Sequence, residues 1–395
     1  MKIISINCGS SSLKFSLFEM DNEEVLASGN FERIGMEGSC YTLKFDGQKI
    51  TENVEMNDHT RAVELLLEKL IALDIIKSYS EINGIGHRIV HGGTKYSKSV
   101  FITDKVIDDI SSLRSFAPLH NPAHVLGIQA FRKVLPDVPM VAVFDTAFHQ
   151  SMSEVAYLYP VPYHWYKDYG IRKYGAHGTS HRYVAESVRD LLDRNDLKII
   201  SCHLGNGGSI SAIKNMKCID TSMGFTPLAG IMMGTRSGDV DPSIIPYVME
   251  KEGKNVGEVL DDLNTKSGLL GVSGISNDMR DIIDKCDIGE ERAILAKDKF
   301  IQRVVDYIAQ YYVRLEGCDI LVFTAGIGEN NIPIRREICE KLACLGVKID
   351  LDQNNIRGEV VKISSPDSKI PVYVIPTDEE LMIARDTLKL ILDRK

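Results

Sequence analysis

The run Lys2-Ile3-Ile4-Ser5 returns as Lys198-Ile199-Ile200-Ser201, and the likeness extends past those four residues. In each place a β-branched stretch leads into a small polar turn with glycine and then into alternating apolar residues: INCGSSSLKFSLF in one copy, SCHLGNGGSISAI in the other. That pattern predicts a strand, a tight turn and a second strand. The interval between the copies far exceeds the roughly 20–50 residues of a solenoid repeat, so it points to two related domains, each opening with a hairpin.

Between and after the hairpins, strands alternate with helices, which predicts an α/β protein. DHTRAVELLLEKLIALDII is apolar at helical spacing, with Asp58 or Thr60 placed to cap it. INGIGHRIV and VPMVAVF read as short buried strands, and AILAKDKFIQRVVDYIAQYYVRLEG as a long amphipathic helix stopped by Gly317. CDILVFTAGIGEN reads as a strand running into a glycine loop, and Pro333 opens the helix after it. A boundary near 150 then divides the chain into an N-terminal α/β domain, 1–150, completed by 382–395, and a C-terminal α/β domain, 151–381.

Composition narrows the partners. Lys and Arg number 46 against 55 Asp and Glu, a formal charge of −9. This argues against nucleic acid or an anionic membrane, both of which reward a basic surface. No stretch reaches the roughly 18 apolar residues of a membrane span. MKIISINCGSSS lacks the apolar core and cleavage pattern of a secretion signal, so a cytoplasmic protein is expected. The eight cysteines form no C-x-x-C pair and read as free thiols rather than a zinc ribbon or redox couple.

No P-loop, complete dinucleotide fingerprint or G-x-S-x-G is present. What remains is three glycine turns, each directly after a predicted strand: Asn7–Ser12, His203–Gly208 and Gly326–Asn330. Backbone N–H groups in such turns can line an anion site, and glycine lets the backbone come close. Any one of them could be a plain hairpin; three at strand ends favour a nucleotide phosphate site. Nine of the ten histidines lie between 87 and 203, with H-x-x-x-H at 87/91, 120/124 and 177/181. None carries H-E-x-x-H, so zinc is a weaker reading than hydrogen-bonded structural residues, some of them holding anions beside Arg88, Arg172 and Arg236. Asp145 ends an apolar run, where a carboxylate is costly unless paired, hydrated or metal-bound; a helix cap is the bland alternative. Glu380 on its plain reading opens a helix, and Asp239 and Asp241 read as loop carboxylates bonding backbone N–H groups.

Taken in order, INCGSSSLK, GHRIVHGG, LHNPAH, FDTAFH, HGTSHRYV, HLGNGGS, DTSMGFTPLAGIMMGTRSGDVDP, SGLLGVSG, FTAGIGEN and PTDEELMIARDT resemble the acetate kinase family over nearly the whole chain. The resemblance implies two duplicated ribonuclease-H-like (actin-like ATPase) domains with an interdomain nucleotide cleft, the C-terminal domain binding the nucleotide. It also implies a homodimer and a reversible, magnesium-dependent transfer from ATP to acetate that gives acetyl phosphate and ADP, with manganese as a substitute metal. Carried over residue by residue, Arg88 holds the acetate carboxylate, and Val90, Leu119, His120 and Pro227 also serve the acceptor. Asp145, His177 and Arg236 are catalytic, the last two donating to the transferring phosphoryl group. Asn7 and Glu380 are the magnesium positions. Ser10, Ser12, Lys14, His203, Leu204, Gly205, Asn206, Gly207, Asp278, Met279, Arg280, Gly326, Ile327, Gly328, Glu329 and Asn330 serve ATP.

One departure concerns the acyl group. Where the family usually has Phe before the histidine of HGTSH, a wall of the methyl pocket with Val90, Leu119 and Pro227, this chain has Ala176. The smaller residue either enlarges the pocket, favouring propionate or butyrate as in a propionate kinase, or lets another side chain fill the space. Ala229, where the family often has Glu, is a lesser departure. From another class, an actin-like nucleotide switch would have no need of Arg88, His177 and Arg236 as a second anion site. A sugar kinase would need Asp145 as a base.

Overall fold

The computed structural model describes residues 1–118 and 120–394. The chain divides into two compact units, Met1–Phe148 with Asp378–Lys395, and His149–Thr377. Each is mixed α/β, built on one mixed sheet.

In the first unit the strands are β1 (Lys2–Cys8), β2 (Ser12–Glu19), β3 (Glu24–Glu32), β4 (Cys40–Phe45), β5 (Gln48–Asn53), β6 (Ile82–Ile89), β7 (Val100–Phe101) and β8 (Met140–Phe144), in the order β5-β4-β3-β2-β1-β6-β8-β7. In the second they are β9 (Lys198–Leu204), β10 (Gly208–Lys214), β11 (Lys217–Thr221), β12 (Ile320–Thr324), β13 (Val361–Lys362) and β14 (Val372–Val374), in the order β11-β10-β9-β12-β14-β13. The second order repeats the first, from β3 through β2, β1, β6 and β8 to β7, and so do the directions. Two antiparallel pairings lead to two parallel ones, and an antiparallel strand closes the edge. The duplication announced by KIIS is therefore a duplication of topology, with β4 and β5 added to the first sheet.

Both faces of the first sheet are covered, as the apolar content of its parallel strands requires. Helices His59–Ala72 and Asn121–Val134 close one face over Ile4, Ile6 and Ile85. Asp58 caps the former by accepting from Arg61 N at 2.8 Å. The C-terminal helix, Glu379–Asp393, closes the other face, over Val141 and Val143. It lies on β6 without room for a side chain beneath it: a Cβ on Gly86 would come 2.4 Å from Ile383 Cγ2, and one on Gly84 2.4 Å from Ile391 Cδ1. Alternation along β6 thus leaves Gly84, Gly86 and Arg88 facing this helix.

In the second unit helix Glu291–Arg314 buries Phe300, Val304 and Ile308 against Ile200, Cys202, Ile210 and Ala212. The opposite face of β9 and β10 carries Ser201, His203, Ser209 and Ser211, all buried, beneath helix Gly178–Leu192. One expectation fails locally. Ala325–Asn330 is a short helix and not a glycine loop. Glu329 Oε1 accepts from Ala325 N at 2.7 Å and Asn330 Nδ2 donates to Gly326 O at 3.0 Å, which closes the turn.

Candidate active site

Ligands of parallel α/β sheets gather beyond the C-terminal ends of the strands. In the first unit those ends belong to β1, β6 and β8. Register sets Ile6 opposite His87 and Ile89 opposite Phe144, so Asn7, Arg88 and Asp145 follow one another along one edge. Asn7 also lies directly across the hairpin from Lys14. The C-terminal helix begins at the same edge, with Asp378 as its cap, accepting from Leu381 N at 2.8 Å.

The charged groups here are tightly paired. Asp145 is completely buried, and its Oδ2 accepts from Arg88 Nε at 3.0 Å and Nη2 at 2.7 Å. Burial opposes the charge of Arg88, but Asp145 and Glu379 together hold it protonated more firmly than usual. Lys14 forms an ion pair with Glu380. Glu379, which the sequence did not single out, sits with Oε2 4.0 Å from Arg88 Nη1, while its Oε1 is buried without a hydrogen-bond partner. Burial first, then the nearby carboxylates Asp145 and Glu380, push its pKa up to about 6 despite Arg88. Successive helical residues are rotated by about 100°, so a sequence cannot tell which glutamate of the pair turns toward Arg88.

Val90 is buried, and His120 and Ser12 are partly exposed, while Ser10 is exposed. Leu119 lies outside the described residues. His87 and His124 are interior groups whose pKa values burial pushes down to about 3, which keeps both neutral. They are structural, as the sequence allowed, but not hydrogen-bonded as expected: among the described residues His87 Nε2 and both ring nitrogens of His124 have no hydrogen-bond partner, and burial keeps water away from them.

In the second unit β9 and β12 are parallel, with Thr324 opposite His203, so the His203–Gly207 turn and the Ala325–Asn330 helix emerge side by side. The glycines of the turn mark where phosphate oxygens could approach. A Cβ on Gly207 would lie 3.6 Å from Arg236 Nη1 and 3.7 Å from His177 Nε2, and one on Gly205 would lie 3.9 Å from His203 Nε2. One cation and two imidazole edges thus face one glycine turn. His177 takes a left-handed conformation, φ 56°, immediately before helix Gly178–Leu192, and its ring stacks on His203 at 4.2 Å. Its Nδ1 is 3.0 Å from Ser209 Oγ.

Arg236 Nη1 donates to Pro227 O at 3.2 Å, and burial lowers its pKa. Asn206 locks the turn to the following loop, its carbonyl accepting from Gly234 N at 2.8 Å. A Cβ at Gly234 would overlap Asn206 Oδ1 and come 2.9 Å from the Asn277 carbonyl oxygen, so a side chain there would force the loop backbone to shift. Leu204 and Met279 are buried in the apolar core, and Gly328 is buried too. Asp278 caps helix Met279–Asp287 and pairs with the exposed Arg280. Gly326 and Ile327 open the short helix, and Glu329 also accepts from Thr377 N at 3.1 Å, so its carboxylate is committed to the backbone. Ala176 is buried within the apolar core of this unit, and its carbonyl accepts from His149 Nε2 at 2.9 Å. Arg172 stacks on Tyr157 at 3.5 Å and packs as a structural residue. Asp239 accepts from Gly230 N and Asp241 from Ser243 N, as loop carboxylates should.

Among the described residues no group of three or more His, Cys, Asp or Glu could hold a metal by itself. Among the described residues no helix is long and apolar enough to cross a membrane. A model of the acetokinase family matches residues 2–385. The acetate kinase of Bacillus cytotoxicus is 56% identical over 391 residues, 98% of each chain. The crystal structure of Porphyromonas gingivalis acetate kinase superposes with a TM-score of 0.94 at 46% identity, over 99% of both chains. That of a propionate kinase from Francisella tularensis has the same TM-score at 43% identity, over 98% of this chain and 99% of the other. With a match that runs from end to end in sequence and in fold, the chain belongs to the acetokinase family.

Proposed function

We propose that the chain transfers the γ-phosphoryl group of ATP to acetate, reversibly, giving acetyl phosphate and ADP. The observation that carries this reading is the meeting of Arg236 Nη1 and His177 Nε2 over Gly207, a set of donors aimed at one small anion. Transfer to a carboxylate is mainly positioning and charge neutralisation. Acetate, with a pKa of about 4, is already ionised at neutral pH and needs no base. Asp145, whose Oδ2 takes both Arg88 Nε–H and Nη2–H, fits that requirement: it orients the guanidinium rather than removing a proton. Arg88 then offers its remaining edge to the acceptor carboxylate, and Val90 and His120 of the same unit also serve the acceptor. In the second unit Arg236 and His177 donate to oxygens whose charge grows as the γ-phosphoryl departs. The His203–Gly207 turn and the Ala325–Asn330 helix hold the rest of ATP. These roles favour phosphotransfer over a nucleotide switch, which has no use for a second anion site.

A divalent cation suits the residues present. Glu379 has a buried oxygen without a partner beside the edge that carries Asn7 and Glu380, and oxygen donors of this kind match magnesium. Asn7 and Glu380 would hold it, with Glu379 next to them on the same helix turn; in the free chain Glu380 pairs with Lys14. When bound, the metal neutralises phosphate charge. Magnesium, with manganese as substitute, a homodimeric assembly and a cytoplasmic setting are parts of the same proposal and rest on the family. Trapping the product with hydroxylamine tests the activity: acetohydroxamate should accumulate only with ATP, acetate and metal together, and its absence would remove the proposal.

Ala176 supports a second reading, tolerance of longer acyl chains. A methylene in an apolar pocket is worth roughly 1–3 kcal/mol, so the preference for acetate over propionate in kcat/KM should fall about one to two decades below the family's usual value. An undiminished preference for acetate would mean that the surrounding core has filled the missing ring's place.

A further inference from the structure

The stacked imidazoles of His177 and His203 each have a serine hydroxyl on the inner nitrogen and the glycine turn on the outer one. Ser209 Oγ lies 3.0 Å from His177 Nδ1 and 2.8 Å from His181 Nε2, and His181 Nδ1 is 2.9 Å from Ser201 Oγ. Ser180 Oγ lies 2.7 Å from His203 Nδ1 and accepts from Thr377 Oγ1 at 2.8 Å. Ser180, His181, Ser201 and Ser209 are all 0% exposed, so water cannot satisfy whatever protons they leave over.

Proton counting gives these chains a direction. Burial holds the His181 pKa well below its ordinary value, so its ring carries one N–H. If that proton sat on Nδ1, it would point at Ser201, and the Ser201 hydroxyl proton would be buried without an acceptor. With the proton on Nε2, Ser201 donates to His181 Nδ1 and His181 Nε2–H donates to Ser209. The Ser209 proton then goes to His177 Nδ1, and every hydroxyl is used. The second chain follows the same logic. Ser180 already accepts from Thr377, and its single proton has His203 Nδ1 as its acceptor.

We propose that Ser209 and Ser180 are positioning residues that lock His177 and His203 as Nε2–H tautomers, so that both rings present a fixed donor to the phosphoryl group over the glycine turn. The proposal rests on the reading of His177 as a phosphoryl ligand. A ring whose Nδ1 is held as an acceptor cannot turn a bare nitrogen toward an anion, so repulsion at the transferring group is avoided before ATP arrives. Arg236 beside the same glycine supplies the cation, and the imidazoles need only donate. H-x-x-x-H at 177/181, a spacing that can build a zinc site, is here bridged by a serine hydroxyl.

The test is a long-range ¹H–¹⁵N spectrum of the full chain with ¹⁵N-labelled histidine at pH 7.5, alone and with ADP, with His177 and His203 assigned by their loss in His177→Asn and His203→Asn. Both should show a protonated Nε2 and a bare Nδ1. In parallel, Ser209→Ala should lower kcat at least about tenfold while the KM values for ATP and acetate move less than about threefold, since only an interaction that strengthens in the transition state is lost. An Nδ1–H signal for His177, or full kcat in Ser209→Ala, overturns the proposal. His177→Ala separates the two levels. If that variant keeps full kcat, the phosphoryl-ligand reading falls and takes the proposal with it. If it is crippled while Ser209→Ala is not, the relay alone is wrong.

Discussion

Arg88 has both Nε and Nη2 on one oxygen of Asp145, so the side chain is aimed before any ligand arrives. A guanidinium held this way loses little freedom when it takes up a second carboxylate. Arg88→Ala should therefore raise the acetate KM at least about tenfold with a smaller change in kcat, whereas Arg236→Ala should depress kcat by roughly a hundredfold. Steady-state kinetics on both variants checks the split, and equal effects on the two parameters would contradict it. Glu379 gives a second test, with a defined sign. Burial raises its folded pKa to about 6 from 4.5, so the folded protein binds that proton more tightly and loses stability as pH rises through this window. Glu379→Gln removes the charge and should stabilise the free protein by about 1–2 kcal/mol at pH 7.5, a gain that fades toward pH 4 and is readable by thermal melting. The same change should impair metal-dependent turnover. Arg88, Asp145, His177 and Arg236 were accessible from the sequence because their blocks resemble a family. Glu379 was not, since only the helical phase separates it from Glu380. The serines behind the histidines did leave a trace: polar residues at every second position, 201 to 203 and 209 to 211, in strands that are otherwise mainly apolar between their terminal lysines.

Glycines, more than apolar residues, settle how the helices sit on their sheets. The C-terminal helix rests on Gly84 and Gly86 of β6, and its first turn carries Glu379 and Glu380 to the strand ends. Gly86→Ala would put a methyl group 2.4 Å from Ile383 Cγ2, forcing the helix outward. Overpacking of this kind should cost about 1–3 kcal/mol, seen as a lower urea midpoint, and should raise the metal concentration needed for half-maximal activity. An unchanged midpoint would mean that the helix is less closely seated. INGIGHRIV announced its strand, but the partner of its glycines lies some three hundred residues away in sequence, beyond the reach of local pattern. GIGEN shows the opposite limit. Its glycines promised a loop, and the side chain of Glu329, folding back on Ala325 N, made a helix of it. Side-chain hydrogen bonds to the backbone, from Glu329 and Asn330, settle that competition, and propensity cannot foresee them.

At the level of the entire chain, one sheet topology is used twice, and each copy exposes its parallel strand ends for different chemistry. The first carries the carboxylates and Arg88; the second carries the glycine turn, the imidazoles and Arg236. KIIS at 2 and 198 disclosed the duplication, because both copies begin a hairpin at the same place in the sheet order. The addition of β4 and β5 to one copy only was not evident, since short amphipathic hairpins leave a weak pattern. A net charge of −9 makes two anionic substrates unwelcome except where the local cations gather, so neutralising metal should be indispensable. Chelation with EDTA should abolish turnover, and either magnesium or manganese should restore it; activity that survives chelation would remove the metal from the account. The most direct check follows the oxygen. With ATP, magnesium and acetate labelled with ¹⁸O in both carboxylate positions, the ³¹P signal of the product should appear at the chemical shift of an acyl phosphate, displaced by one bridging ¹⁸O. A product without that displacement, or no acyl phosphate at all, would show that the carboxylate is not the group that receives the phosphoryl.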